Sequence, residues 1–266
     1  MLDLPRSLLL ALWGTAVLQA RVDPARAVRV VTGADEPHTL EGEDLPFSAS
    51  PTGPGLHDLL EQLDGKVTAL RAVLPVPGDA LGLPGRPEVT QAAVEAGEGV
   101  VAVPQDRAGP GWTYVPQVRA FGSEYEQGWQ VAWRSWRNPS GVRMPEGAFG
   151  DLSEAERALR GALLEATESL AALDVARWRD DAAAGIATVR DGGVDGRFIP
   201  PGTPPRAVRV IGTALRVRAI VELAHGDDGA ALNAWEASRR TQVLRDVDGI
   251  ARRALVAVTS VEGRPG

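Results

Sequence analysis

Residues 66–103 read KVTALRAVLPVPGDALGLPGRPEVTQAAVEAGEGVVAV, and the reading of this stretch decides the fold of the first half of the chain. Leu70, Ala72, Leu74 and Val76 alternate with Arg71, Val73 and Pro75, the period of a largely buried strand. Pro77-Gly78-Asp79 ends that run and opens a loop rich in glycine and proline. Pro87-Glu88 begins a short helix that Gly97 and Gly99 close, and Val100–Val103 form a second apolar run. The predicted order is strand, loop, helix, strand.

Working outward, Asp23 caps a helix with Pro24 in its first position, and Gly33 stops it. A short strand is expected at His38–Leu40 and a Ser/Pro/Gly loop over 46–55. Leu56, Leu59, Leu60 and Leu63 share one helical face. Downstream, 112–121 and 129–136 read as a hairpin turning at Gly122-Ser123-Glu124. Trp112, Tyr114, Pro116, Val118 and Ala120 fall on one face of the first strand, and Trp129, Val131 and Trp133 on one face of the second.

The stretch 7–20, SLLLALWGTAVLQA, is apolar almost without interruption. It is shorter and more polar than a membrane span. Its composition favours a buried first strand over the apolar region of a signal peptide ending at Ala20, because Asp3 offsets Arg6 in the segment before it.

Residues 138–150 (NPSGVRMPEGAFG) form the best linker, and beyond them the period changes from two to 3.6. Asp151 or Ser153 caps a helix, with Ser153 and Glu156 in capping-box spacing. A second helix follows Asp174, with Trp178, Gly185 and Val189 on its apolar seam. A third runs from Pro204-Pro205 to Ala224, and a fourth from the Gly226–Gly229 turn to about Val258. The expected architecture is α+β: a mixed β-sheet domain with short helices at 1–148, then a four-helix bundle at 151–262.

Composition narrows the chemistry. The net charge of −7 argues against non-specific binding to nucleic acid or an anionic membrane. Residues 1–150 hold 12 basic and 18 acidic side chains, and 151–266 hold 16 and 17, so the acidity lies in the first half. Cysteine is absent, which removes disulfides, thiol nucleophiles and thiolate metal sites. His38, His57 and His225 have no metal-ligand spacing, and no GxSxG nucleophile elbow occurs. No cofactor is expected.

One loop carries a ligand-binding expectation. Gly78, Asp79, Gly82 and Gly85, with Arg86 and Glu88 at the following helix, leave the carboxyl end of a strand, where open α/β sheets bind ligands. The loop matches neither GxGxxG nor GxxxxGK[ST], so a rigid turn is the stronger reading. A stripe of arginines, Arg206, Arg209 and Arg216 with Arg239, Arg240, Arg252 and Arg253, either meets an acidic partner or pairs with Glu222, Glu236, Asp246 and Asp248.

The segments LRAVLPVPGDALGLPG (70–85) and AAVEAGEGVV (92–101), with DEPHTLEG (35–42), resemble a group of uncharacterised proteins of high-GC actinobacteria. The likeness runs over most of the chain, including the helical half, and implies a bacterial cytoplasmic protein. It brings no activity, cofactor or catalytic residue with it. Because the sequence shows no convergent acid, base, nucleophile or metal set, the functional expectation is a non-enzymatic interaction or regulatory protein that binds another protein or itself. The alternative is a small-ligand-binding or enzymatic domain built on the Gly78–Gly85 loop.

Overall fold

The computed structural model describes residues 4–106, 108–123, 126–139, 151–172, 193–225 and 234–260. The described chain divides into two compact units. One is 5–148 with 197–202, and the other is 149–196 with 203–261 and Leu4.

The first unit is a five-stranded mixed sheet in the order β1-β5-β4-β3-β2. Its elements are α1 (Arg6–Leu18), α2 (Pro24–Thr32), β1 (His38–Gly42), α3 (Leu56–Leu63), β2 (Val67–Val73), α4 (Pro87–Ala96), β3 (Gly99–Pro104), β4 (Gly111–Ser123) and β5 (Glu126–Asn138). β1 runs parallel to β5, and every other neighbouring pair is antiparallel.

Several elements form for local reasons visible in the sequence. Asp23 accepts from the N–H of Arg26 and Pro24 fills the first position of α2. Asp58 reaches back to the N–H of Gly55 at the start of α3. Gly97 takes the left-handed conformation that ends α4. The hairpin register sets Pro116 opposite Trp133, Val118 opposite Val131 and Ala120 opposite Trp129, so the two expected apolar faces are one face.

The segment 7–20 is not a strand. Its residues up to Leu18 form α1, and Ser7 to Ala16 are all buried. A helix enclosed on every side needs no polar face, so it shows no 3.6-residue period to read. Gly14 lets it approach the sheet: a Cβ there would lie 2.5 Å from Leu70 Cδ1 and 3.3 Å from Leu60 Cδ2. The Thr15 hydroxyl accepts from the N–H of Leu70 and donates to its carbonyl, at 2.9 and 3.1 Å. These bonds satisfy outward-facing backbone of β2, an edge strand that would otherwise be a template for aggregation. At the other edge, Thr39 of β1 bridges Gly55, and the Leu40 N–H donates to Pro54 O. α4 covers the opposite face, with Val89 and Ala93 packed among Val115 and Trp136.

The N-terminus of α1 has no cap of its own. Glu98, 91 residues away and buried, accepts from the Ser7 N–H at 2.8 Å. A carboxylate there complements the helix dipole and satisfies an orphan donor. Segment 197–202 belongs to the same unit: Trp13 Nε1 donates to the Phe198 carbonyl and Arg21 to that of Pro201.

The second unit contains α5 (Leu152–Ala172), α6 (Pro205–His225) and α7 (Ala234–Thr259). α5 and α6 both pack chiefly on α7 and touch each other less. Asp151 caps α5, accepting from the N–H groups of Ser153 and Glu154, while Glu154 accepts from the Asp151 N–H. Those backbone bonds hold the Asp151 carboxyl below its usual range. The capping box is thus Asp151/Glu154 and not Ser153/Glu156, which leaves Ser153 and Glu156 for other contacts. The expected second bundle helix, with Gly185, lies outside the described residues.

Candidate functional site

The Gly78–Gly85 loop is tied to itself. Val76 and Asp79 exchange two backbone hydrogen bonds around Pro77-Gly78, with Gly78 at φ +86. The Asp79 carboxylate accepts from the Leu81 N–H, and Leu81 is buried. Gly82 and Gly85 also have positive φ, and a Cβ on Gly85 would lie 3.2 Å from Asn138 Oδ1. Arg86 donates to Glu43 at 2.6 Å and pairs with Glu88 at 3.0 Å. Glu43 also accepts from the Arg137 N–H, and the two contacts together hold its carboxyl below the usual range. Arg86, Glu88, Glu43 and Arg137 thus join the start of α4 to β5 and the end of β1. The premise of a parallel-sheet ligand crevice does not hold here, because β2 and β3 are antiparallel neighbours, with Val73 paired to Gly99.

Of the histidines, His57 is exposed beside Glu61 and His225 is the last residue of α6. His38 is buried, and its Nδ1 accepts from Trp133 Nε1 at 3.2 Å. Burial, aided by the Arg6 charge and opposed by Asp35, lowers its pKa to about 4. The ring is therefore neutral at physiological pH. Tyr114, enclosed in the sheet, has its pKa pushed up by burial. Among the described residues no three of His, Asp and Glu converge to hold a metal ion.

Two surfaces of the described residues bear on function. The first is the outer half of the β4–β5 hairpin. β3 pairs with β4 only through Val100–Ala102, and β1 pairs with β5 only from Val131 onward. The ladder nevertheless continues to Ser123 opposite Glu126, so a two-stranded ribbon projects past its neighbours. Val118, Phe121 and Trp129 on this ribbon are 37%, 48% and 42% exposed. The Phe121 ring lies against Gly128, where a Cβ would meet ring atoms at 2.5 to 2.9 Å. That contact holds the ring over the ribbon.

The second is a cleft of about 370 Å³ between α5 and α6. Glu156, Leu159, Arg160 and Leu163 line it from one helix, and Arg209, Gly212, Thr213 and Arg216 from the other. Both sets follow the i, i+3, i+4, i+7 spacing that gathers side chains on one helical face. Glu156 is the hub: Arg206 lies 3.1 Å from Oε2, while Arg160 and Arg209 lie 3.5 and 3.9 Å from Oε1. Arg206 also donates to the Ser153 hydroxyl. The stripe's Arg206 and Arg209 therefore meet Glu156, a residue outside the acidic set expected for them. Arg252 and Arg218 do pair with Asp248. The sequence placed Glu156 in a capping box and gave no role to Arg160 or Thr213, although their spacing against Leu159, Leu163, Arg209 and Arg216 was the available signal.

A mixed-sheet unit followed by a helical unit defines a two-part α+β protein, and both parts match known family models. Residues 7–146 match the N-terminal domain and 153–256 the C-terminal domain of the Rv1486c-like proteins, and the chain belongs to that family. It is 28% identical to the uncharacterized protein Rv1486c of Mycobacterium tuberculosis strain H37Rv over 96% of both chains. The uncharacterized protein MT1533 of strain CDC 1551 shows the same identity and coverage. No solved structure matches the chain.

Proposed function

We propose that the chain is a non-enzymatic cytoplasmic interaction or regulatory protein that docks another protein, or a second copy of itself, through the projecting β4–β5 ribbon. The observation that carries this reading is the contrast between the ribbon and the rest of the sheet. Thr15 blunts one sheet edge and Pro54-Gly55 the other, whereas no other described strand pairs with the outer edges of the ribbon over 117–122 and 127–130, and Val118, Phe121 and Trp129 face solvent there. Unpaired backbone beside exposed aromatics is the chemistry of strand addition and of interface anchors. The burial of Ser7–Ala16 within helix α1 supports a cytoplasmic location over export. Among the described residues no helix is long and apolar enough to cross a membrane.

The test is the double variant Phe121→Ser/Trp129→Lys, compared with wild type by light scattering and by capture of partners from the native host. The expected result is loss of a self-associated species or of one specific partner, with the melting temperature unchanged. Identical behaviour of the two proteins refutes the ribbon. A thermal shift with a nucleotide or metabolite, lost in Asp79→Ala, would favour the Gly78–Gly85 loop instead.

A further inference from the structure

We infer that the α5–α6 cleft is a binding site for a small oxyanion carried on an apolar body, a carboxylate or a phosphate monoester. The argument begins with charge. Arg160, Arg209 and Arg216 line the cleft and Arg206 adjoins it; among the described residues Glu156 is the one carboxylate in ion-pair contact with them, and Asp151 adds a longer-range charge beside Arg206. Two carboxylates cannot neutralise four guanidinium groups. Arg206 takes its Oε2 at 3.1 Å, while Arg160 and Arg209 stand off Oε1 at 3.5 and 3.9 Å, beyond good hydrogen-bond length. Arg216 meets the Thr213 hydroxyl at 3.4 Å, a marginal distance. Three guanidinium groups from two helices therefore retain donors for a further anion, and their planar forks suit carboxylate and phosphate oxygens.

The remaining lining sets the other half of the ligand. Leu159, Leu163, Val208 and Val210 supply apolar wall. Gly212 leaves depth: a Cβ there would meet nothing nearer than Val194 Cγ2 at 3.8 Å. A volume of about 370 Å³ suits a small organic molecule and exceeds the needs of a bare ion. Glu156 restricts the ligand further, since its charge disfavours an anion placed on the Arg206 side and directs it toward Arg209 and Arg216.

Calorimetry on the full chain at low salt tests the site with four probes: acetate, octanoate, inorganic phosphate and phenyl phosphate. Octanoate and phenyl phosphate should bind in the millimolar range or tighter, each more tightly than its bare counterpart. The better of the two identifies the headgroup. Arg209→Gln should weaken that binding about tenfold, the scale of one charge-assisted hydrogen bond. Glu156→Gln should strengthen it, because an internal competitor for the arginines is removed. Gly212→Leu should block it by filling the cleft while leaving every charge in place. Far-ultraviolet circular dichroism checks that each variant is folded. Absence of binding by both amphipathic probes overturns the inference. So does binding that is indifferent to Arg209→Gln and Gly212→Leu, or a bare phosphate that binds as well as phenyl phosphate. Phe121→Ser/Trp129→Lys should leave cleft binding unchanged, which separates this site from the ribbon.

Discussion

Replacing Gly14 by alanine tests how α1 is seated. Glycine in a helix interior costs about 1 kcal/mol relative to alanine, so propensity alone predicts stabilisation. The structure predicts the reverse. The added Cβ would lie 2.5 Å from Leu70 Cδ1, about 1 Å inside carbon–carbon contact, and 3.3 Å from Leu60 Cδ2. Leu70 has little freedom to retreat: it is fully buried, and Thr15 holds its backbone on the same side. Overpacking of this kind costs roughly 1–3 kcal/mol, which exceeds the propensity gain and leaves a net loss of about 1 kcal/mol. In a unit of this size that lowers the melting temperature by about 2–4 °C. Tryptophan fluorescence follows the unfolding, since Trp13 and Trp133 are buried in this unit. A double-mutant cycle sharpens the test. Leu70→Ala alone should cost about 2–5 kcal/mol, and less in the Gly14→Ala background, because the new methyl enters the vacated space. A raised melting temperature for Gly14→Ala, together with simple additivity in the cycle, would refute the close approach of α1 to β2.

Two further outcomes are expected. Thr15→Val removes both hydrogen bonds to Leu70 and strands a buried N–H and C=O, so it should cost about 2–4 kcal/mol in chemical denaturation. Amide exchange at Leu70 should quicken, and protection equal to wild type would sink the edge-cover argument. For His38, the folded pKa of about 4 lies below the unfolded 6.5, so the unfolded state takes up the proton first. The stabilisation is complete above pH 6.5 and is lost as pH falls through 4, in total about 3 kcal/mol. His38→Gln retains an acceptor for Trp133 and should flatten that part of the profile. Parallel curves for the two proteins between pH 7 and 4 would show that His38 does not carry this dependence.

The sequence alone determined α2, α3, α4 and the β4–β5 hairpin, because each depends on signals within a few residues: a cap, a proline at the first helical position, a closing glycine, alternation across a turn. It also determined the α+β class, through the change of period after Asn138, and it excluded cysteine chemistry. The tertiary structure decided what depends on enclosure or distance. α1 is buried on all faces, so its apolar run carried no period to separate helix from strand. β2 and β3 are antiparallel although α4 lies between them, an outcome of which faces those helices cover and not of the residues that join them. Glu98 caps a helix 91 residues away, and Glu156 gathers arginines from two helices. Local propensity acts through neighbouring dihedrals, whereas strand order, distant caps and clefts arise only when separated segments compete to bury the same surface.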